Sequence, residues 1–367
     1  MDNKKIRAIG AGVLAALWAA LTLFAWFSPA QEMSQSERRP LAQMPEISPD
    51  KILGGSFMSD FESYTLDQFP GRDTFRQIKS LFHYYGLRQS DNNDIYIADG
   101  YAAKLEYPLD PASVTYATGR LTHLYEKYLK DSGSKVFMTV APDKGYYLAQ
   151  KNGYLAMDYD AMFSQLQGQM PWATYVDITD CLDYESYYRT DTHWRQEYLL
   201  PAAERLCNAM GVTPPRAEDY TKTSVGKFYG VYYGQAALPM DSELLFVMES
   251  QLLKDCRVYD YESGEYASVY DTTKLQSKDL YDVFLSGSRS LLTIENPNAS
   301  TDRELIVVRD SFGSSMVPLL VQDYAKVTLV DIRYISIDVL DRFLEFKGQD
   351  VLLLYSTLVL NNSNTIK

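Results

Sequence analysis

Cysteine, histidine and positive charge are all scarce in this chain. Its 367 residues include three cysteines and three histidines. Cys181, Cys207 and Cys256 have no regular spacing, which excludes a disulfide framework and a zinc site. Lys and Arg number 35 against 48 Asp and Glu, for a formal net charge of −13. A surface of that sign repels phosphate, so nucleic acid and an anionic membrane surface are poor partners. No internal repeat or low-complexity tract is present. Tyrosine, by contrast, is abundant at 30 residues. Its ring suits sugar faces, although it equally fills half-buried sheet positions.

One long apolar run stands at the start. Lys4, Lys5 and Arg7 precede an apolar stretch from Ala8 to Phe27, long enough to cross a bilayer as a helix. No basic residue follows until Arg38, which places the N-terminus inside and the body outside. A cleaved signal peptide is the competing reading, with Ser28-Pro29-Ala30 as its small-residue site. The run is longer than a usual signal core, which favours a retained anchor. The expected location is the cell membrane, single-pass, with the main domain extracytoplasmic; the cysteine usage fits a bacterial exported protein.

The chain then divides by pattern. Residues 1–28 form the anchor and 29–90 a stalk with short helices. Prolines and Gly54-Gly55 mark 29–56 as extended, and two helices are expected between Phe57 and Leu87, broken at Pro70-Gly71. Residues 91–367 read as an α/β domain. It opens with a hairpin at 95–101 and a helix at 112–131, followed by a buried strand at 134–144 and a second strand at 172–180. An amphipathic helix covers 195–210. A tyrosine-rich insertion at about 214–300 reads as β-rich. Strand 304–309, helix 313–323, strand 326–331, helix 336–347 and strand 350–355 then alternate as in a doubly wound parallel sheet.

Two short stretches carry chemistry. YRTDTHWR at 188–195 sets Asp191 and His193 two residues apart, on one side of an extended segment. LIVVRDSFGSS at 305–315 runs a strand into Asp310-Ser311 and then a helix, where ligand sites of parallel sheets lie. A serine nucleophile needs a base, and the base a carboxylate that holds its tautomer; Ser311, His193 and Asp191 supply all three. Asp310 or Ser311 serves equally well as a helix N-cap. Trp194 is placed to wall the site from water. One histidine and one aspartate are too few ligands for a metal. Oxyanion donors are sought in the Ser311 N–H, helped by Gly287, Tyr355 or Ser356.

Several blocks together resemble a known family: ERRPLAQMPEIS (37–48), FMSDFESYTLDQFPGRDTF (57–75), DGYAAKL (99–105), DTHW (191–194), FLSGS (284–288), RDSFGSSMVPLL (309–320), VDIRYI (330–335) and DVLLLYS (350–356). This series is similar to the DHHW protein family of Gram-positive bacteria, and to the SGNH-hydrolase-like proteins of alginate O-acetylation. Arg309 stands where the hydrolase block has glycine, and Thr192 where the family name implies a histidine. The resemblance implies an SGNH-hydrolase-like sheet of permuted order. It makes Ser311 the nucleophile, His193 the base and Asp191 its orienting carboxylate, with Asp310, Trp194 and Arg309 on the substrate side. The expected activity is acyl transfer, most simply acetyl, or ester hydrolysis on an envelope or secreted polysaccharide. It needs no cofactor, and a membrane-bound O-acyltransferase is the implied partner. The alternative is a non-catalytic envelope protein that binds glycans or scaffolds an assembly.

Overall fold

The apolar N-terminal run folds as one helix, α1 (Asn3–Phe27). The computed structural model describes residues 3–34, 36–277 and 279–367, and among these α1 is the one helix long and apolar enough to cross a membrane. The chain divides into two units: Met1–Gln89 with Ala237–Pro239, and Ser90–Ala236 with Met240–Lys367. The first unit also contains α2 (Ser56–Asp67) and α3 (Arg72–Leu81), which continues in a π-turn, Phe82–Gly86. Gly71, at φ +69°, takes the left-handed turn between them. The expected stalk is not simply extended. Asp67 accepts from Arg39 and from the Ala42 N–H, and Gln68 exchanges hydrogen bonds with the Gln31 backbone. These bonds fold residues 31–43 back onto the end of α2.

The second unit is built on an eight-stranded sheet. Its strands are β1 (Lys135–Ala141), β2 (Thr174–Tyr175), β3 (Arg257–Asp260), β4 (Glu265–Ala267), β5 (Leu291–Glu295), β6 (Glu304–Arg309), β7 (Lys326–Val330) and β8 (Asp350–Ser356). Across the sheet they run β4-β3-β5-β7-β6-β8-β1-β2. The five from β7 to β2 are parallel, and the other three form an antiparallel edge. Alternate residues feed separate cores. Leu305, Val307, Leu352 and Leu354 pack on one face with Leu206 of α6 (Leu200–Met210). Ile306, Val308, Val351 and Leu353 pack on the other, with α4 (Pro111–Leu124) and α5 (Tyr159–Gln169). Two covered faces explain why these strands read as continuous apolar runs rather than alternating ones. Asp110 caps α4, accepting from the Ala112 and Ser113 N–H groups, with Pro111 in the first turn where its missing donor costs nothing.

Several elements differ from expectation. The β-rich stretch does not stand apart as a whole: Thr221–Phe228 pairs with Glu243–Glu249 as a separate ribbon, but residues 257–295 add β3, β4 and β5 to the main sheet. The helix expected at 313–323 is four residues long, α7 (Gly313–Met316), and tightens into a 3-10 turn, Val317–Leu320, around Pro318, which has no N–H to continue an α-helix. Residues 336–347 form only a 3-10 stretch, Ile337–Arg342. The 172–180 strand pairs over two residues alone.

Candidate active site

β6 pairs with β8 up to Arg309↔Leu354, so the chain leaves the sheet at Asp310 beside the end of β8. Asp310 fastens that exit. Its backbone N–H donates to Leu354 O (3.2 Å), and its carboxylate accepts from the Phe312 N–H (3.0 Å) and the Ser356 N–H (2.7 Å). Ser311 is thereby lifted onto the turn, half-buried, with its hydroxyl toward His193.

His193 arrives on a loop from the same edge. Asp191 reaches it through a bend rather than an extended strand: Oδ1 accepts from the His193 backbone N–H (3.0 Å) and lies 2.6 Å from ring Nδ1. This is an Asx-type turn, in which a short carboxylate closes on the amide two residues on. An ionised carboxylate only accepts, so Nδ1 carries the proton and Nε2 presents its lone pair. Nε2 lies 2.8 Å from Ser311 Oγ. The three side chains named from the sequence are therefore joined in one hydrogen-bonded chain.

Many partners hold the histidine loop. Glu243 accepts from the Arg189 and Thr190 N–H groups (2.6 and 3.3 Å). The Thr190 hydroxyl accepts from the Gly230 N–H, and the second Asp191 oxygen from the Val231 N–H, both at 2.8 Å. Gly230 lies so close that a Cβ there would fall 2.2 Å from Asp191 Cβ. Lys144, 2 % exposed, donates to Tyr188 O at 2.8 Å between the rings of Tyr101 and Tyr232. Burial pulls its ammonium down to about 7, against the pull of Asp191, Glu243 and Asp143.

Tyr281 completes the wall. Its ring lies flat on His193, with centroids 3.9 Å apart and planes 8° off parallel. Its hydroxyl donates to Ser315 Oγ (2.9 Å) and approaches Ser311 O (3.3 Å). Burial pushes its phenol well above the usual tyrosine range, so it stays a donor. Tyr281 was not foreseen; the signal was its place three residues before the FLSGS block. Gly230, Glu243 and Lys144 were missed as well, since each acts through backbone contacts to a distant loop.

Asp310, Trp194 and Arg309, expected on the substrate side, lie behind the serine turn. All three are fully buried. Asp310 ties the serine turn to β8, and the Trp194 indole N–H donates to Phe312 O (3.1 Å) behind that turn. Arg309 points beneath α7, with Nη1 3.8 Å from Asp331. The oxyanion expectation also narrows. Ser356 N–H is committed to Asp310, Gly287 N–H to Phe284 O, and the first amides of α7 to Asp310 and Ser311. The Ser311 N–H has no acceptor among the described residues. No cluster of three or more potential metal ligands forms among those residues.

An Asp–His–Ser chain thus lies at the carboxyl edge of a mostly parallel sheet in an α/β protein. Residues 161–330 match the model of the family described as DHHW protein, in line with the resemblance of its motifs. Among solved structures, a DHHW family protein from Eubacterium siraeum is 22% identical, with 75% of this chain and 95% of that one covered and a TM-score of 0.58. Bacillus cereus PatB1 is 16% identical over 74% of this chain and 98% of its own, with a TM-score of 0.60. The same protein solved with a sulfonyl adduct gives 16%, 72%, 95% and 0.59 in that order. The O-acetyltransferase domain of Pseudomonas putida AlgJ is 14% identical over 73% and 92%, with a TM-score of 0.43. Curated protein sequences give no match. At these identities the likeness describes the fold.

Proposed function

We propose that this protein is an extracytoplasmic acyltransferase or esterase, acting on acetyl groups of an envelope or secreted polysaccharide through Ser311, His193 and Asp191. The reading rests on one observation, the continuous chain of 2.6 and 2.8 Å contacts from Asp191 through His193 to Ser311. Ser311 Oγ attacks the acyl carbonyl as its proton passes to His193 Nε2. Asp191 holds the ring and stabilises the imidazolium, and the Ser311 N–H is the available donor to the developing oxyanion. Collapse of the tetrahedral adduct breaks the ester bond, and the leaving oxygen takes the proton from Nε2. A sugar hydroxyl or water then gives its proton to Nε2 and attacks the acyl-serine, which restores the serine. The strand order is read as a permuted SGNH-hydrolase sheet, with the serine after the Asp and His in the chain.

With α1 retained as an anchor, the domain works outside the cell, where a transferase depends on a membrane partner to deliver the acyl group. A membrane-bound O-acyltransferase fits that need. Bacillus cereus PatB1 has been solved with a sulfonyl adduct, and sulfonyl fluorides trap activated serines. Ser311 Oγ should therefore displace fluoride from the sulfur of phenylmethylsulfonyl fluoride, its proton passing to His193 and fluoride to solvent, with the adduct located by peptide mass spectrometry. Ser311→Ala should abolish both the adduct and turnover of 4-nitrophenyl acetate. Unchanged turnover in that variant refutes the assignment.

A further inference from the structure

Helix α3 is inside out. Its two arginines are the covered residues: Arg72 and Arg76 pair with Glu37, and their side chains are 20% and 15% exposed, while Asp73 and Lys79 stay exposed. Ser80, on the same side, is 1% exposed. The opposite side presents Phe75, Ile78, Leu81, Phe82 and Tyr85, spaced to share one helical face, at 51%, 58%, 39%, 60% and 63% exposure. A helix on a water-facing surface turns its apolar stripe inward. This one turns it outward, with no charge within the stripe.

What adjoins that stripe says what covers it. Phe75, at its start, meets the Phe69 ring edge-on with centroids 5.4 Å apart. Phe69, with Phe61 and Tyr64, lines a cavity of about 340 Å³ whose other wall is Trp18, Leu21 and Trp26 of α1. The apolar face of α3 therefore continues onto the C-terminal part of α1, the part that the basic residues at 4–7 place on the outer side. Trp26, near the outer end of the run, is 80% exposed, where an interfacial aromatic anchor is placed.

We propose that α3 and its π-turn lie in the outer interfacial layer of the membrane, with the stripe from Phe75 to Tyr85 against lipid. The chain then has two membrane contacts, a crossing helix and a helix lying in the interface. The attraction is apolar, so it does not conflict with the acidic balance of the chain.

The proposal rests on α1 being a retained anchor, and the test separates the two. The full chain, with Cys181→Ser, is placed in nanodiscs of palmitoyl-oleoyl phosphatidylcholine and spin-labelled at Phe82→Cys, Tyr85→Cys or Leu17→Cys. Cys207 and Cys256 are buried and do not compete for label. Relaxation by oxygen well above that by an aqueous nickel chelate at Phe82 and Tyr85 is the expected result. Strong relaxation by nickel puts the face in water, and weak relaxation by both puts it under protein; either overturns the proposal. A lipid signal at Leu17 alone leaves the anchor standing and removes only the interfacial helix. No lipid signal at Leu17 removes the anchor itself.

Discussion

Asp191→Asn changes one atom of the site and should silence it. Asp191 accepts at least three hydrogen bonds: two on Oδ1, from the His193 backbone N–H and ring Nδ1, and one on Oδ2, from the Val231 N–H. An asparagine side chain has one accepting oxygen, so one of its two ends must present an N–H to a donor. With the oxygen kept toward His193, the amide nitrogen faces the Val231 N–H, a buried donor–donor contact that costs about 1–3 kcal/mol. With the amide reversed, Nδ1 must accept, the ring proton moves to Nε2, and Nε2 then donates to Ser311 Oγ instead of drawing its proton. The second outcome removes the base, and the first keeps the tautomer but loses the carboxylate charge that stabilises the imidazolium. Where an aspartate of this role has been changed in a serine triad, kcat falls about 10⁴-fold, which at about 1.36 kcal/mol per decade is about 5–6 kcal/mol of barrier. The expected result is a drop of that order in turnover of 4-nitrophenyl acetate, with sulfonyl labelling of Ser311 slowed in parallel and little change in the circular dichroism spectrum. Turnover within tenfold of the parent would mean that Asp191 does not set the histidine tautomer.

Gly230→Ala should unfasten the same loop from behind, because its Cβ would lie 2.2 to 2.4 Å from Asp191 and from Thr190 O. A loss of at least about 2 kcal/mol in urea unfolding, with turnover reduced, is expected; a stable, active variant would show that the segment carrying Gly230 is free to move. Lys144 predicts a pH effect. Its folded value of about 7 lies below the ordinary 10.5, so between these the unfolded chain holds a proton that the folded chain has shed, and stability rises with pH across that window. Lys144→Met should lack this rise, worth a few kcal/mol at about 1.36 per pH unit, and identical slopes in the two proteins would count against a buried, weakened ammonium.

The strands of the sheet were legible because two covered faces make uninterrupted apolar runs, and Leu305–Val308 and Val351–Leu354 are such runs. The meeting of His193 and Ser311 was legible too, since few residues in a chain with three histidines can serve as base. The manner of the meeting was not. The spacing of Asp191 and His193 fits a strand and an Asx turn equally well, and only the amide contact to Oδ1 separates them. Residues 257–295 were misplaced because their alternation fits any antiparallel strand. Which sheet they join depends on long-range pairing, such as Leu291↔Val330, that local pattern does not record. The short helices failed for a similar reason. Pro318 halts one, and 336–347 closes as a 3-10 turn beneath Leu340, whose burial outweighs helical propensity.

Arg309 stands where the hydrolase block has glycine, and the structure relates it to Gly313. In the hydrolase block a glycine before Asp-Ser gives the turn room. Here Arg309 sends its stem under α7, where a Cβ on Gly313 would meet Arg309 Cβ, Cγ and Cδ at 2.9, 3.0 and 3.1 Å. The room lost at 309 is recovered four residues later. The guanidinium is only loosely held: Nη1 donates a long bond to Asp310 O (3.3 Å) and lies 3.8 Å from an Asp331 carboxylate that Arg333 already binds with two nitrogens, while Nε and Nη2 meet no acceptor among the described residues. The stem, then, is what the turn has adapted to. Gly313→Ala should cost about 1–3 kcal/mol as overpacking, with turnover lost as Ser311 shifts from His193. In an Arg309→Gly background the same alanine has space, and its cost should fall by at least about 1 kcal/mol. Unfolding of both single variants and the double variant in urea measures that coupling. Costs that add to within about 0.5 kcal/mol, as they do for residues not in contact, would show that Arg309 and Gly313 do not share the space beneath the serine.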